Sequence, residues 1–241
     1  MSERKRHAQR LFAGIAPEYE RMGPLLSFAQ DARWRRYMVS RVDVAPGSWV
    51  LDVAAGTGLV ARELAETATI RVAALDQNEA MLRAGADANR RVVDGGRIVA
   101  VLGQAERLPF ADGSFDAVTF TYLLRYVDDP QATLVELGRV LRDGGTLTCT
   151  EFHVPRGPLA RAGWRAYTTL VMPAVGRLAT PAWHHAARFL GPSIAAFYER
   201  YPLPEQIRMW QSAGLHHVRT RVLSFGAGIV IAGAKGIPNG E

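Results

Sequence analysis

Cysteine is almost absent. Cys149 is the single thiol in 241 residues, which excludes an internal disulfide and points to a reducing compartment. It lies in the apolar run Leu147-Thr148-Cys149-Thr150, where a thiol behaves as a small hydrophobe. Cysteine, histidine and carboxylate nowhere fall at metal-ligand spacing, so no metal is expected. His184-His185 and His216-His217 are adjacent pairs whose side chains point apart. No apolar run approaches the length of a membrane span. There is no dense Lys/Arg run interleaved with aromatics, which argues against nucleic acid. The opening Ser2-Glu3-Arg4-Lys5-Arg6-His7 is too charged for a signal peptide, so the cytoplasm is the expected compartment.

The chain does carry an uneven positive charge. Its net charge is +6 and its hydrophobic content 48%, ordinary for one α/β domain with additions. Residues 1–41 hold nine Lys/Arg against four Asp/Glu, and residues 155–200 hold six Arg against one Glu. The middle of the chain is therefore net acidic, and the basic charge lies in two flanking segments. Such flanks suit anionic headgroups or an acidic partner, and equally a solvated surface.

Val50-Leu51-Asp52-Val53-Ala54-Ala55-Gly56-Thr57-Gly58 reads as a buried strand, a glycine turn and a helix starting near Leu59. The glycines let backbone pass close to a ligand. Gly56-x-Gly58-x-x-Ala61, with Asp76 18 residues after Gly58, also fits the loose dinucleotide pattern. A dinucleotide would set its pyrophosphate beside the Asp52 carboxylate, a repulsion. S-adenosylmethionine (SAM) brings no phosphate, only a cationic sulfonium and α-ammonium, which Asp52 suits. SAM is the expected cofactor.

Strands and helices alternate from Trp49: strands at 49–53, 71–75, 97–102, 115–120 and 146–152, with Asn78 and Asp129 placed to cap helices. A glycine C-cap is expected at Asp143-Gly144-Gly145. The pattern predicts a mostly parallel sheet between helices, with ligands beyond the strand ends. Two last strands, 216–224 and 229–234, form an antiparallel pair. The expected organisation is an N-terminal helical lid over 1–45, a core over 46–153, a helical insertion over 154–203 and a closing helix and strand pair over 204–241. Prolines 155, 158, 173, 181 and 192 should chop the insertion into short helices. Its aromatic content fits a substrate cap.

The strand ends supply the candidate residues. Asp76, with Gln77 beside it, should bind the ribose hydroxyls. Gln104-Ala105 can read the adenine edge, Met81 can lie against it, and Thr121 faces the methionine part. Arg125, in Tyr122-Leu123-Leu124-Arg125-Tyr126, could hold an oxyanion or bridge carboxylates such as Asp128 or Asp129. His153 is placed as a general base or as a plain loop residue.

At this point the chain resembles the ubiquinone/menaquinone biosynthesis C-methyltransferases over most of its length. The resemblance rests on Phe12–Met22, Leu26-Ser27-Phe28, Trp34-Arg35-Arg36, Leu51–Gly58, Ala105–Phe110, Leu124-Arg125 and Phe189–Ile194. It implies a Rossmann-like class I fold and SAM contacts at Thr57, Asp76, Gln104-Ala105 and Thr121. It also implies that Tyr19 and Arg125 lie at the ring of a quinol acceptor, methylated at carbon. Where the family usually has Asn after the arginine and a further glycine in the first motif, Tyr126 and Ala55 stand here. The acceptor expected is a reduced isoprenoid quinone such as demethylmenaquinol, which allows peripheral contact with a membrane; a homodimer stays open. Another aromatic or lipid acceptor, methylated at carbon or oxygen, is the alternative, followed by a SAM-binding module without turnover.

Overall fold

The computed structural model describes residues 3–88, 90 and 95–236. Residue 89 of the expected second core helix and residues 237–241 of the closing segment lie outside these. Seven strands make one sheet: β1 (Trp49–Val53), β2 (Arg71–Asp76), β3 (Ile98–Leu102), β4 (Phe115–Thr121), β5 (Leu141–Phe152), β6 (Leu215–Leu223) and β7 (Gly228–Lys235). Their order is β3-β2-β1-β4-β5-β7-β6. β7 is antiparallel to both neighbours, and the other pairings are parallel.

Strand parity decides which face each side chain serves. Val50, Val72 and Ala74 pack with Met38 and Val39 of α3 (Gln30–Val39) and with Val60, Ala61 and Leu64 of α4 (Leu59–Thr67). Leu51, Val53, Ala73 and Leu75 join the opposite core. There Leu134 and Leu137 of α6 (Pro130–Val140) meet Met209 and Trp210 of α10 (Leu203–Ser212). Both faces of the central strands are covered, so β1 and β2 are largely apolar rather than alternating, whereas the edge strand β6 is mostly exposed and polar. α5 (Glu79–Ala88) is capped as expected: Asn78 Oδ1 accepts from Ala80 N at 3.1 Å. Asp129 Oδ1 likewise accepts from Ala132 N at 3.0 Å at the start of α6. No helix among the described residues is long and apolar enough to cross a membrane.

Two boundaries differ from expectation. α6 stops at Val140, and Leu141 is already extended and paired with Phe115. Asp143-Gly144-Gly145 is thus no helix cap but part of β5, where Gly144 has a φ of 75°. A Cβ on Gly145 would lie 2.8 Å from the Asp116 carbonyl oxygen, so glycine permits the close strand approach. The insertion begins with α7 (Pro158–Ala166), a π turn at Tyr167–Val171 and α8 (Met172–Ala179) in one unbroken helical run, so Pro173 does not end a helix where expected. It then runs as one 20-residue helix, α9 (Pro181–Arg200), with Pro192 inside it. The preceding residue is Gly191, which has no Cβ for the proline ring to strike. Burial of Trp183, Ala187, Ile194 and Phe197 along the helix outweighs the lost hydrogen bond.

The N-terminal helices α1 (Glu3–Ile15) and α2 (Tyr19–Leu26) are separated by a 3₁₀ turn at Pro17. They pack on the insertion through Ile15, Met22, Trp183 and Ala186. Because Pro192 is exposed and costs α9 a backbone hydrogen bond, Pro192→Ala is expected to stabilise the protein by about 2 kcal/mol. Thermal unfolding checks this; an unchanged or lowered Tm would mean that α9 accommodates Pro192 at no cost.

Candidate active site

The carboxyl ends of β1, β2, β4 and β5 face one cavity of about 440 Å³ beneath α1 and α2. β1 runs into Ala54, whose φ is 57°, and on through Gly56 and Gly58 at 58° and 76°. The left-handed alanine is Ala54, not Ala55, so the alanine at 55 meets no such strain. The Gly58 N–H closes the turn on the Ala55 carbonyl at 2.8 Å. A Cβ on Gly85 would sit 2.6 Å from the Thr57 carbonyl oxygen. Glycine there is what brings α5 against the turn.

Gly56, Thr57, Asp76, Gln77, Ala105 and Thr121 all line this cavity, as does Met81. Asp76 Oδ2 accepts from Gly56 N and its Oδ1 from Asn78 N, each at 2.8 Å. The carboxylate is thereby fixed at the rim with lone pairs to spare. Gln77 Oε1 is buried without a partner.

Asp52, Gly58 and Gln104 do not line the wall. Asp52 shares the parity of Val50 and turns toward the α4 face, where its Oδ1 accepts from Thr119 Oγ1 at 2.9 Å. Gly58 is spent turning the chain into α4. The Gln104 side chain points outward, and its Oε1 accepts from Lys5 Nζ at 3.4 Å. The same ammonium, itself buried, pairs with Glu106 at 2.7 Å. α1 is tied down again where Asn78 Nδ2 donates to the Gln9 carbonyl at 3.1 Å.

This end of the cavity is rich in acceptors. Asp52 Oδ2 is buried with no partner. Burial, with Asp76 adding and Thr119 opposing, pushes the Asp52 carboxyl up to about 7. Burial also raises Asp76. Asp76 and Gln77 on the wall, with the Asp52 carboxyl behind it, favour a ligand with hydroxyls and positive charge and disfavour a pyrophosphate. SAM fits it: Asp76 and Gln77 would take the ribose hydroxyls, and Asp52 would supply negative charge behind the turn.

The other end is aromatic. Arg125 is 5% exposed, with its guanidinium carbon 4.6 Å from the Tyr126 ring centroid and 5.1 Å from that of Phe152. Its Nη2 donates to Tyr126 Oη at 2.8 Å, and its Nη1 is 4.0 Å from Glu151 Oε2. The carboxylate facing it is therefore Glu151, while Asp129 caps α6. Burial pushes Glu151 up to about 7, against the pull of Arg125 and the Leu124 and Leu123 amides. Arg125 Nε is buried and has no partner. Tyr19 lines the same end, stacked on Trp183 at 6.2 Å, and burial raises its phenol.

The sequence names Tyr122 only as part of the Arg125 segment and gives no sign of its partner Asp31. Tyr122, at a φ of 55°, stacks on Phe152 at 4.2 Å and donates to Asp31 Oδ1 at 2.5 Å. Asp31 Oδ2 in turn accepts from Arg35 at 2.9 Å. Asp31 and Tyr122 are 91 positions apart, and no local pattern joins them. His153 does not line this cavity and so is not placed as its base: its Nδ1 lies 2.8 Å from the Gly226 carbonyl and its ring packs edge-on to Tyr198 at 5.1 Å. His184 is likewise held by a backbone carbonyl, that of Pro173, at 2.9 Å.

The strand order with its one antiparallel strand, the glycine turn and the acceptor-lined pocket define a class I SAM-dependent methyltransferase. The chain belongs to the ubiE/COQ5 methyltransferase family, whose model matches residues 1–235. It is 33% identical over 240 residues to the ubiquinone/menaquinone biosynthesis C-methyltransferase UbiE of Geobacter sulfurreducens, covering 98% of this chain and 91% of that protein. It is 38% identical over 225 residues to the demethylmenaquinone methyltransferase of Mycobacterium tuberculosis, covering 93% and 91%. A SAM-dependent methyltransferase from Thermotoga maritima shares the fold at a TM-score of 0.62 and 21% identity, over 94% of this chain and 99% of that one. So does phosphoethanolamine N-methyltransferase 2 of Haemonchus contortus with S-adenosylhomocysteine, at 0.61 and 14%, over 85% and 53%.

The Asp52 carboxyl is raised in the free protein, so stability it contributes is full below about pH 4 and lost as pH rises through 7. A cationic ligand reverses this by favouring the ionised form. SAM affinity is therefore expected to rise between about pH 5.5 and 7, with proton release, and then to level. Calorimetric titration checks this: Asp52→Asn should flatten the profile and Glu151→Gln should keep it. A profile unaltered by Asp52→Asn would remove Asp52 from SAM binding.

Proposed function

We propose that this methyltransferase acts on a ring carbon of a reduced isoprenoid quinone, of the demethylmenaquinol kind, against a membrane surface. The observation that carries the reading is Arg125, a buried cation with an unpartnered Nε, set among aromatic rings in the same cavity as the SAM-lining residues. The names of the relatives from Geobacter sulfurreducens and Mycobacterium tuberculosis support the acceptor class.

SAM, when bound, supplies an electrophilic methyl group. The chain's own residues then act on the acceptor. Arg125 holds a quinol oxygen as its anion, which makes the ring carbon more nucleophilic. Tyr19 and Phe152 confine the ring. Arg125 stays protonated and takes no proton itself. The carboxylate lining this end is Asp31, reached through the Tyr122 hydroxyl. A quinol proton leaves along the Tyr122 hydroxyl and its hydrogen bond to Asp31, toward solvent; once the ring carbon has taken the methyl, its C–H proton passes to the quinol oxygen and the aromatic ring is restored. The N-terminal helices serve as the lid, residues 46–153 as the SAM-binding core, and residues 154–203 as the cap over the prenyl chain. Leu190 and Ile194 give the cap an apolar lining, and the closing segment, described as far as residue 236, adds α10, β6 and β7 to the core. Most of the rate enhancement comes from positioning and electrostatics.

A second reading, another phenolic acceptor, is favoured by Tyr126, which takes an Arg125 donor that a smaller residue would leave free. Arg125→Ala should lower kcat for a demethylmenaquinol analogue roughly 10²- to 10³-fold with SAM affinity unchanged. Arg125→Lys should not restore it, since a lysine lacks the planar fork. Product analysis with labelled SAM decides: full turnover by Arg125→Ala sinks the assigned role, and tight SAM binding without quinol product transfers the site to the second reading.

A further inference from the structure

Two loops at the cavity mouth hold phenylalanines in water. Phe28 is 69% exposed and Phe225 is 97% exposed. Phe28, Ala29, Ser224 and Phe225 have φ of 48°, 58°, 48° and 54°. They are four of the seven left-handed non-glycine residues among the described ones, a conformation that side chains disfavour. The loops are clasped together. Trp34 Nε1 donates to Ser224 Oγ at 2.9 Å, Ser224 Oγ to Gln30 Oε1 at 2.7 Å, and Gln30 Nε2 to the Phe28 carbonyl at 3.3 Å. Phe28 leans on Tyr167, 5.5 Å between centroids, and the Tyr167 hydroxyl donates to the Leu26 carbonyl.

Tyr167 continues this edge into α7, a helix with no buried residue. Ala160 and Trp164 are its partly covered positions. Opposite them, Leu159, Ala162 and Ala166 form an exposed apolar stripe at three- and four-residue steps, which Leu170 extends. Leu159 is 88% exposed and Leu170 68%. Arg161 and Arg165 flank the stripe on one side. Between Glu151 and Glu199 the chain has five arginines and no carboxylate.

We propose that this face docks on an anionic lipid bilayer. Phe28, Phe225, Leu159 and Leu170 enter the headgroup boundary, and Arg156, Arg161 and Arg165 meet lipid phosphates. An outward apolar stripe beside like-signed charge is complementary to that surface, not to a second copy, whose arginines would face these. Phe28, Tyr167 and Ser224 also line the cavity, so docking sets its mouth on the bilayer. That use rests on the quinol reading; the docking itself does not.

The test is co-sedimentation with vesicles of phosphatidylcholine containing about one-third phosphatidylglycerol, against pure phosphatidylcholine. The full chain is expected to pellet with the anionic vesicles and to be released by salt. Phe225→Ser combined with Leu159→Ser should weaken this roughly tenfold or more, with SAM affinity and turnover of a short-chain soluble quinol unchanged. Arg161→Gln with Arg165→Gln should weaken binding to anionic vesicles and leave pure phosphatidylcholine unaffected. No pelleting of the wild-type chain, or equal pelleting of the Ser variant, overturns the proposal. So does light scattering that shows a dimer dispersed by the same substitutions. Vesicle binding with no quinol turnover leaves the docking face standing and removes the acceptor reading.

Discussion

Parallel strands end together, so the residues near their carboxyl ends share one edge whatever their separation in sequence. In this protein that edge collects buried acid: Asp52 on β1, Asp76 on β2 and Glu151 on β5. Burial raises all three, Asp52 and Glu151 to about 7. A buried charge is tolerable only when paired. Arg125 stands 4.0 Å from Glu151 and answers the β5 end. At the β1 end Asp52 Oδ2 has no partner, and Thr119 alone bonds the carboxylate through its side chain. The fold is electrostatically complete around Arg125 and short of positive charge around the glycine turn. SAM would carry the missing charge, and its binding would then stabilise that edge.

The same edge explains why the lid is polar where it meets the cofactor end and apolar elsewhere. Lys5 reaches down to Glu106, and Asn78 holds the Gln9 carbonyl. A few residues on, Phe12 packs edge-on to Tyr126 at 5.3 Å, and Tyr19 stacks on Trp183. One short segment thus closes over both halves of the cavity, by hydrogen bonds at one end and by rings at the other. The insertion completes the ring-lined half, since Tyr126 also stacks on Phe189 of α9 at 6.3 Å.

What the sequence disclosed were the features written within a few residues of each other. Val50–Gly58 spells strand, turn and helix; Asn78 and Asp129 each sit immediately before the helix they cap. Gly144 and Gly145 satisfy a helix C-cap pattern and a close strand approach equally well, so nothing local fixes the boundary between α6 and β5. Leu141 pairing with Phe115, 26 positions away, decides it. Pro192 misled for a similar reason: the cost of proline is local, and the burial that outweighs it comes from packing across the insertion. Asp31 carries no local sign of a role, and nothing local pairs Glu151 with Arg125. Their significance lies in Tyr122 and Arg125, which the topology alone brings to them.

Tyr126 narrows what the acceptor can be. It occupies one Arg125 nitrogen, and Glu151 stands near a second, so the unpartnered Nε is the donor that faces a chemical decision. A buried N–H without a partner costs about 1–3 kcal/mol, and more beside a formal charge. A purely apolar acceptor would leave that cost in place. An acceptor oxygen would remove it, and an anionic oxygen would gain a charge-assisted bond as well. The aromatic walls of Phe152, Tyr122 and Tyr19 select a flat ring to carry that oxygen. An oxygen that gains charge as the ring carbon reacts is stabilised most by a donor already fixed in place. That condition describes a phenol passing to its phenolate, and it holds for Arg125 because Tyr126 and Phe152 keep the guanidinium from turning away.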